Sequence, residues 1–154
     1  RQDPTFFRTH GERYGRDGCR VPLPWNSAEP ANGFNSTGKT WLPQPPEFAD
    51  LARINQEGVE GSTLELYKLL LSLRNKFKLG RGKLNWVDTS DDDVLMFRNG
   101  HLTIACNLSE HFWSPPDGQV LVSSSDLQSR ILPPHTTVWM ESKGSPSAQV
   151  ARSK

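Results

Sequence analysis

The spacing of apolar residues changes once along this chain of 154 residues, near Gly80. Before that point, "STLELYKLLLSLRNKFKLG" has the period of an amphipathic helix. Ser62 and Glu65 predict a capping box at its start, and Gly80 is the predicted stop. Five apolar side chains share one face: Leu66, Leu69, Leu70, Leu73 and Phe77. Leu71 widens the apolar surface, so the helix is expected to pack against a broad partner.

After Gly82 the pattern is that of short strands, in "KLNWVD", "VLMFRNGHLTIACNL", "QVLVSSS" and "RILPPHTTVWMES". Asn99-Gly100 predicts a type I′ hairpin turn, which needs positive φ at both central positions. Pro133-Pro134 predicts a bend before the last strand because proline cannot donate to a ladder. A helix followed by such strands predicts an α+β chain with a small antiparallel β-sandwich. The polar residues 142–154 predict a disordered tail.

Residues 1–47 have no apolar period and are rich in Gly, Pro, Asn and charged residues, with scattered aromatics. A loop this long is unusual inside a compact domain. We interpret it as an active-site loop that lies on a larger body. The opening "RQDPTFF", without a methionine, suggests that the N-terminus is a cut, and a short helix is expected over residues 47–55.

Composition excludes several classes of partner. The formal net charge is +1 with both signs interspersed, so no nucleic acid is expected. The apolar runs are too short to cross a bilayer, so no membrane association is expected. Cys19 and Cys106 are expected to be lone thiols in a cytoplasmic protein, although they could pair. The sequons at Asn35 and Asn107 are interpreted as chance matches.

Two motifs resemble sites but lack the necessary context. "GFNSTGKT", Gly33 to Thr40, fits the phosphate-loop pattern. No apolar strand precedes it and "WLPQPP" forbids a helix after it, so no phosphate site is predicted. "DDD" at 91–93 is interpreted as a solvated turn rather than a metal site. The four histidines lack the spacing of zinc ligands.

Arg16, Asp17 and Arg20 form the sharpest polar constellation, in "GRDGCRVPLPW". Arginine presents a planar fork of donors that suits carboxylates or adjacent sugar hydroxyls. Gly18 is expected to relieve the backbone beside Asp17. The alternative is an Arg–Asp pair that only pins a loop.

"GRDGCRVPLPW" resembles the Arg-Asp-x-x-Arg-x-Pro-x-x-Trp segment of the glycoside hydrolase family 13 α-glucosidases, in the oligo-1,6-glucosidase and trehalose synthase branch. "DPT" at 3–5, "GF" and "WLP" within 33–43, and "STLELYKLLLSLR" agree with it in order. The resemblance covers residues 1 to about 141.

This resemblance implies that residues 1–82 are the end of a catalytic (β/α)8 barrel, with the loop after the eighth strand at 1–47 and the last helices at 48–79. Residues 83–141 would be the C-terminal β-sandwich domain, and 142–154 the tail. The catalytic carboxylates of a retaining glycosidase lie upstream in the family and are absent here, so the chain alone is expected to be inactive. No cofactor is implied for this chain, since family calcium sites lie in the missing barrel.

The resemblance also implies substrate-binding roles. Arg16 would reach the terminal glucose of a short α-glucoside such as maltose or isomaltose, Arg20 would line or buttress the loop, and Asp17 would orient both arginines. The isolated chain is expected to self-associate through the barrel-facing Leu66, Leu69, Leu70 and Leu73. A trehalose synthase or transglucosidase, and a non-catalytic carbohydrate-binding β-module, are the alternatives.

Overall fold

A computed structural model of the chain describes residues 2–142. They fall into two compact units, the first ending at Glu65 and the second beginning at Leu66. The domain division predicted at residue 82 stays a prediction. Of the predicted tail, Ser142 is the last residue of a strand, and residues 143–154 lie outside the described part.

The first unit consists of short turns and helices, as its lack of periodicity predicted. Helix α1 spans Pro4–Arg8 and α2 spans Arg53–Gln56, with 3₁₀ turns at Asp17–Cys19, Pro30–Gly33 and Pro46–Phe48. The helix predicted over residues 47–55 is wrong. Ala52 is extended (ψ 142°) and separates the last of these turns from α2.

Helix α3 spans Thr63–Lys76 and carries the predicted N-cap. Ser62 Oγ accepts from the Glu65 backbone N–H at 3.3 Å. The reciprocal half of the capping box is not formed, because the Glu65 carboxylate accepts from Gly58 N–H and Ser62 N–H donates to Val59 O. Lys78, with a left-handed φ of 52°, turns the chain after α3, so the predicted stop at Gly80 is wrong by two residues.

In the described part of the second unit, up to residue 142, there is an antiparallel sheet of five strands in the order β1-β2-β3-β5-β4. The strands are β1 Leu84–Trp86, β2 Val94–Asn99, β3 Leu102–Asn107, β4 Gly118–Ser123 and β5 Thr136–Ser142. The β2–β3 hairpin is confirmed. Asn99 pairs with Leu102, so the loop residues are Gly100 and His101 rather than Asn99 and Gly100. Gly100 supplies the positive φ, +60°.

Each face of the sheet has its own buried cluster. Leu79, just after α3, packs with Leu102 and Ile104 on one face. The other cluster contains Met96, Ala105, Leu132, Val138 and Met140, with Trp113 against it. Trp113 and Leu132 come from loops and are joined by an isolated bridge.

The α+β class is therefore confirmed, and the predicted second sheet of a sandwich is not found within residues 2–142. Loops cover that face instead, and the strands do not close into a barrel. The physical reason lies in the covering loops, where Pro115, Pro116, Pro133 and Pro134 cannot donate to a ladder.

The apolar surface of α3 is divided. Leu73 is buried, and Leu66 and Leu70 are half-buried around a small cavity with Val122 and Trp139. The expectation that all four leucines would be exposed is wrong for Leu73. Leu69 is 43% exposed and Leu71 is 62% exposed. Self-association through α3 stays a prediction.

Candidate functional site

Asp17 is buried at the centre of the "GRDGCR" loop. Its Oδ2 accepts from the backbone N–H groups of Gln2 (2.8 Å) and Asp3 (3.2 Å). Its Oδ1 accepts from Arg20 Nη1 at 3.1 Å. Asp17 therefore ties the loop to the segment that precedes α1.

Asp3 is a second buried carboxylate, and it binds the same loop. Its Oδ1 caps α1 by accepting from Thr5 N–H at 2.8 Å, with Pro4 at the first helical position. Its Oδ2 accepts from the Arg16 backbone N–H (3.0 Å) and from Arg20 Nη2 (3.1 Å). The Arg16 N–H, followed by the Thr5 N–H and hydroxyl, lowers the pKa of Asp3 to about 2.

Arg20 spans both carboxylates with its two terminal nitrogens. The side chains of Asp3 and Asp17 are only 6% and 10% exposed, so these ion pairs are better shielded from water than ordinary surface pairs. We call this arrangement the Asp3–Asp17–Arg20 clamp. It explains how a loop with little apolar content keeps a defined shape.

Gly15 allows the loop to approach Asp3 closely. It has φ +72°, and a Cβ placed there would lie 2.4 Å from Asp3 Cγ. Gly18, by contrast, has no positive φ and open space around it. The backbone relief expected at Gly18 is therefore needed at Gly15 instead.

Arg16 is held by its backbone while its side chain is left free. The side chain is exposed, and within residues 2–142 the guanidinium makes no recorded hydrogen bond or ion pair. Its N–H is fixed by Asp3 and its C=O accepts from Cys19 N–H at 3.0 Å. Asp17 contacts Arg20, whereas the Arg16 guanidinium is not its partner. The loop thus presents an exposed guanidinium, which has five N–H donors, from a fixed backbone.

Sequence reasoning missed Asp3, although "DPT" was part of the family resemblance. An Asp directly before a Pro is an N-cap signal, and it would have predicted the cap on α1. Its bonds to Arg16 and Arg20 join residues 13 and 17 positions apart. A single sequence carries no local signal for such pairs.

The "PLPW" run that follows the clamp is fixed by its backbone. Trp25 and Asn26 both donate to Asn32 O, and α2 docks through Arg53 N–H to Pro24 O at 3.1 Å. Trp25 nevertheless stays 47% exposed. An exposed aromatic side chain on a fixed backbone is suited to contact a ligand of mixed polarity.

The other motifs considered as possible sites do not have the geometry of a binding site. Asp91 Oδ2 pairs with His111 Nε2 at 2.8 Å and Asp91 Oδ1 accepts from Asp93 N–H, so "DDD" is a hydrogen-bonded turn. Residues 2–142 contain no cluster of three side chains that could hold a metal ion. Cys19 and Cys106 are both free. "GFNSTGKT" has no strand before it and no helix after it.

No protein-family model matches the chain. It is 36% identical over 101 residues to a probable α-glucosidase of Rhizobium meliloti, covering 65% of this chain and 18% of that protein. Maltase A1 of Drosophila melanogaster is 30% identical over 98 residues, covering 62% and 17% respectively. A probable oligo-1,6-glucosidase of Bacillus subtilis is 32% identical over 83 residues, covering 53% and 14%. The chain spans less than a fifth of these relatives.

A solved structure of an α-glucosyl transfer enzyme, XgtA, matches 84% of this chain and 26% of its own, with a TM-score of 0.62 and 30% identity. The chain is related to part of the glycoside hydrolase family 13 α-glucosidases. A family GH13_31 enzyme, at 22% identity and a TM-score of 0.63 over 79% of this chain and 24% of its own, shares the fold. The family resemblance is confirmed. No helix among residues 2–142 is long and apolar enough to cross a membrane.

Proposed function

We propose that this chain supplies one wall of the terminal-glucose pocket of a retaining α-glucosidase that acts on short α-glucosides such as maltose or isomaltose. In this proposal residues 1–82 complete the catalytic (β/α)8 barrel, and residues 83–141 form the domain that follows it. The catalytic carboxylates, and any calcium, belong to the rest of the enzyme.

The observation that carries the proposal is the state of Arg16. Its backbone is fixed by a buried carboxylate, yet its guanidinium has no recorded partner within residues 2–142. A loop that only needed pinning would be served by Arg20, which already binds both carboxylates. A positioned and unpaired guanidinium is suited to donate to adjacent sugar hydroxyls or to a carboxylate that closes the pocket. Asp17 and Arg20 then support the substrate site by holding the loop that carries Arg16.

Transglucosylation is the second candidate. The likeness to XgtA, described as an α-glucosyl transfer enzyme, favours it. Hydrolase and transferase would use the same pocket for the terminal glucose and differ in whether water or a sugar accepts it. Product analysis with maltose as the only substrate separates the two: glucose alone indicates hydrolysis, and longer or isomeric oligosaccharides indicate transfer.

The decisive experiment changes Arg16 in the complete enzyme. We expect Arg16→Ala to lower kcat/KM for maltose by about 10- to 100-fold, the loss of one or two charge-assisted hydrogen bonds. Arg13→Ala is the matched control, because Arg13 is another exposed arginine of the same segment, and it should leave kcat/KM unchanged. An unaltered rate in Arg16→Ala, with folding verified, would exclude a substrate role for this residue.

We further propose a cytoplasmic location. The two free thiols support it, since reduced cysteines persist in that compartment. Asn107 supports it as well. This sequon residue is fully buried and donates to the carbonyls of His111, Leu132 and Pro133, so the folded chain cannot carry a glycan there. Mass measurement of the purified native protein, with and without a thiol-alkylating reagent, tests both points.

A further inference from the structure

Positive charge is concentrated around the end of α3. Between Leu66 and Val87 the chain contains no acidic residue, although acidic and basic residues are nearly balanced over the whole chain, 17 against 18. The same stretch carries six basic residues: Lys68, Arg74, Lys76, Lys78, Arg81 and Lys83. Three of them, Arg74, Lys78 and Arg81, line one open groove of about 380 Å³.

The groove is built from the last turns of α3 and the 3₁₀ turn Leu79–Arg81 that follows it. Leu71, Asn75 and Gly80 complete its lining, and none of the six lining residues is acidic. Within residues 2–142, no ion pair is recorded for Arg74, Lys78 or Arg81. Its cations are therefore close together and uncompensated, which raises the local potential for an anion.

The backbone that carries these cations is fixed. Leu79 is 8% exposed and belongs to a buried cluster of the sheet. The Asn99 side chain, at the end of β2, donates to Leu79 O at 3.1 Å. Arg74 lies against this turn, since its Nη2 would be in ordinary contact, at 3.5 Å, with a Cβ at Gly80. The backbone that carries Arg74 and Arg81 therefore does not have to reorganise when a ligand binds in the groove.

Lys78 is the third cation of the groove. It adopts a left-handed φ of 52°, a conformation in which glycine is favoured and lysine is strained. Its side chain also lines the groove, so the turn adds a third positive charge to those of Arg74 and Arg81.

We propose that this groove, defined by Arg74, Lys78 and Arg81, binds a phosphate group. Arginine forks bind phosphate oxygens in bidentate fashion, and a lysine adds a mobile positive charge. Three cations more than compensate the roughly two negative charges of a phosphate monoester at neutral pH. The space is in the range of small-molecule sites, and it could take free phosphate or the phosphate of a small phosphorylated sugar.

The experiment is isothermal titration of the complete chain at constant ionic strength, set with chloride, with inorganic phosphate, glucose 6-phosphate and glucose as separate ligands. We expect saturable binding of both phosphates and none of glucose. Tighter binding of glucose 6-phosphate than of inorganic phosphate identifies a sugar phosphate as the preferred ligand, and equal binding identifies the phosphate group itself.

Three variants test which residues bind. Arg74→Gln with Arg81→Gln should weaken phosphate binding by about tenfold or more, as expected for lost charge-assisted hydrogen bonds. Lys83→Gln, which removes a nearby charge outside the groove, should change it by less than about twofold. Lys78→Gly should raise the Tm, because glycine suits the left-handed turn, and should still weaken binding.

Two results would overturn the proposal. One is phosphate binding that the double variant leaves intact or that Lys83→Gln weakens equally, since this would indicate general charge attraction. The other is binding of an oligo-aspartate peptide without any binding of phosphate, which would make the groove a docking surface for an acidic protein.

Discussion

The two compact units of this chain are stabilised by different forces. Before Leu66, Ala52 is the only buried apolar residue in the described part, while Asp3 and Asp17 are both buried. From Leu66 onward the buried apolar residues are Leu73, Leu79, Val94, Met96, Leu102, Ile104, Ala105, Val122, Leu132, Val138 and Met140. The first unit depends on charge-assisted hydrogen bonds, and the second depends on apolar burial around a sheet.

The two units are therefore destabilised by different kinds of change. Apolar burial is distributed over many residues and depends little on pH, so the second unit is sensitive mainly to lost volume. The clamp of the first unit concentrates its bonds on three side chains, and it loses them when a carboxylate is protonated or displaced. The same concentration positions Arg16, so in the first unit stability and proposed function share their residues.

The largest effect is expected from a truncation in the sheet. Leu102 is fully buried at the start of β3, in the cluster with Leu79 and Ile104. Leu102→Ala should lower the free energy of unfolding by about 2–5 kcal/mol, through lost burial and the cavity left behind. Urea unfolding followed by far-UV circular dichroism measures this change.

The control for that truncation is Leu108→Ala, one residue after β3, where the side chain is 51% exposed. It should change the free energy of unfolding by about 0.5 kcal/mol or less. Equal losses at Leu102 and Leu108 would show that the apolar clusters are not what stabilises the second unit.

A smaller effect is expected in the first unit from the paired variants Gly15→Ala and Gly18→Ala. At Gly15 the new Cβ would meet the Asp3 carboxylate, and the positive φ is strained for alanine. We expect a local loss of about 1 kcal/mol or more, whereas Gly18→Ala should be neutral within about 0.5 kcal/mol.

Hydrogen exchange of the Arg16 amide measures this pair, because that N–H donates to Asp3. Gly15→Ala should accelerate the exchange and Gly18→Ala should not. If the two variants behave alike, the close approach of Gly15 to Asp3 does not determine the shape of the loop.

The second unit could largely be predicted from sequence because its signals are local and periodic. The helix, the strands and the hairpin were all predicted from apolar spacing and one Asn-Gly pair. Two of the errors were at single residues: Lys78 took a position that glycine normally fills, and the hairpin loop began at Gly100 rather than Asn99. A second sheet is absent from residues 2–142 because long loops pack on that face, and the spacing of apolar residues does not indicate how such loops pack.

The candidate site could be predicted only in part. The spacing of Arg16, Asp17 and Arg20 identified the loop, since short-range arginine and aspartate patterns are visible in a sequence. The sequence did not show which arginine Asp17 would bind, or which residue would position Arg16. Asp17 takes Arg20, and the position of Arg16 is set by Asp3 through a backbone bond across 13 residues. Such bonds depend on tertiary structure and leave no trace in composition or period.

The smallest expected effect is that of acid on the Asp3–Asp17–Arg20 clamp, which is followed by titration. The pKa of Asp3 is lowered to about 2, chiefly by the Arg16 N–H, against about 3.9 for an unfolded aspartate. A lowered pKa means that the ionised form favours the folded loop, so this stabilisation is complete above about pH 4 and is lost as the pH falls through about 2. NMR should show the Arg16 amide signal moving over that interval.

Asp3→Asn should remove this titration, because the amide oxygen can still accept from Arg16 but carries no charge to lose. Asp91→Asn is the control from the other unit. The pKa of Asp91 is also lowered, by the Asp93 N–H and then by His111, yet this carboxylate has no recorded bond to Arg16. The Arg16 signal should therefore keep its midpoint in Asp91→Asn. A midpoint near pH 4 in the unmodified chain, or one that moves in Asp91→Asn, would mean that the loop responds to general acid unfolding and that Asp3 does not control the position of Arg16.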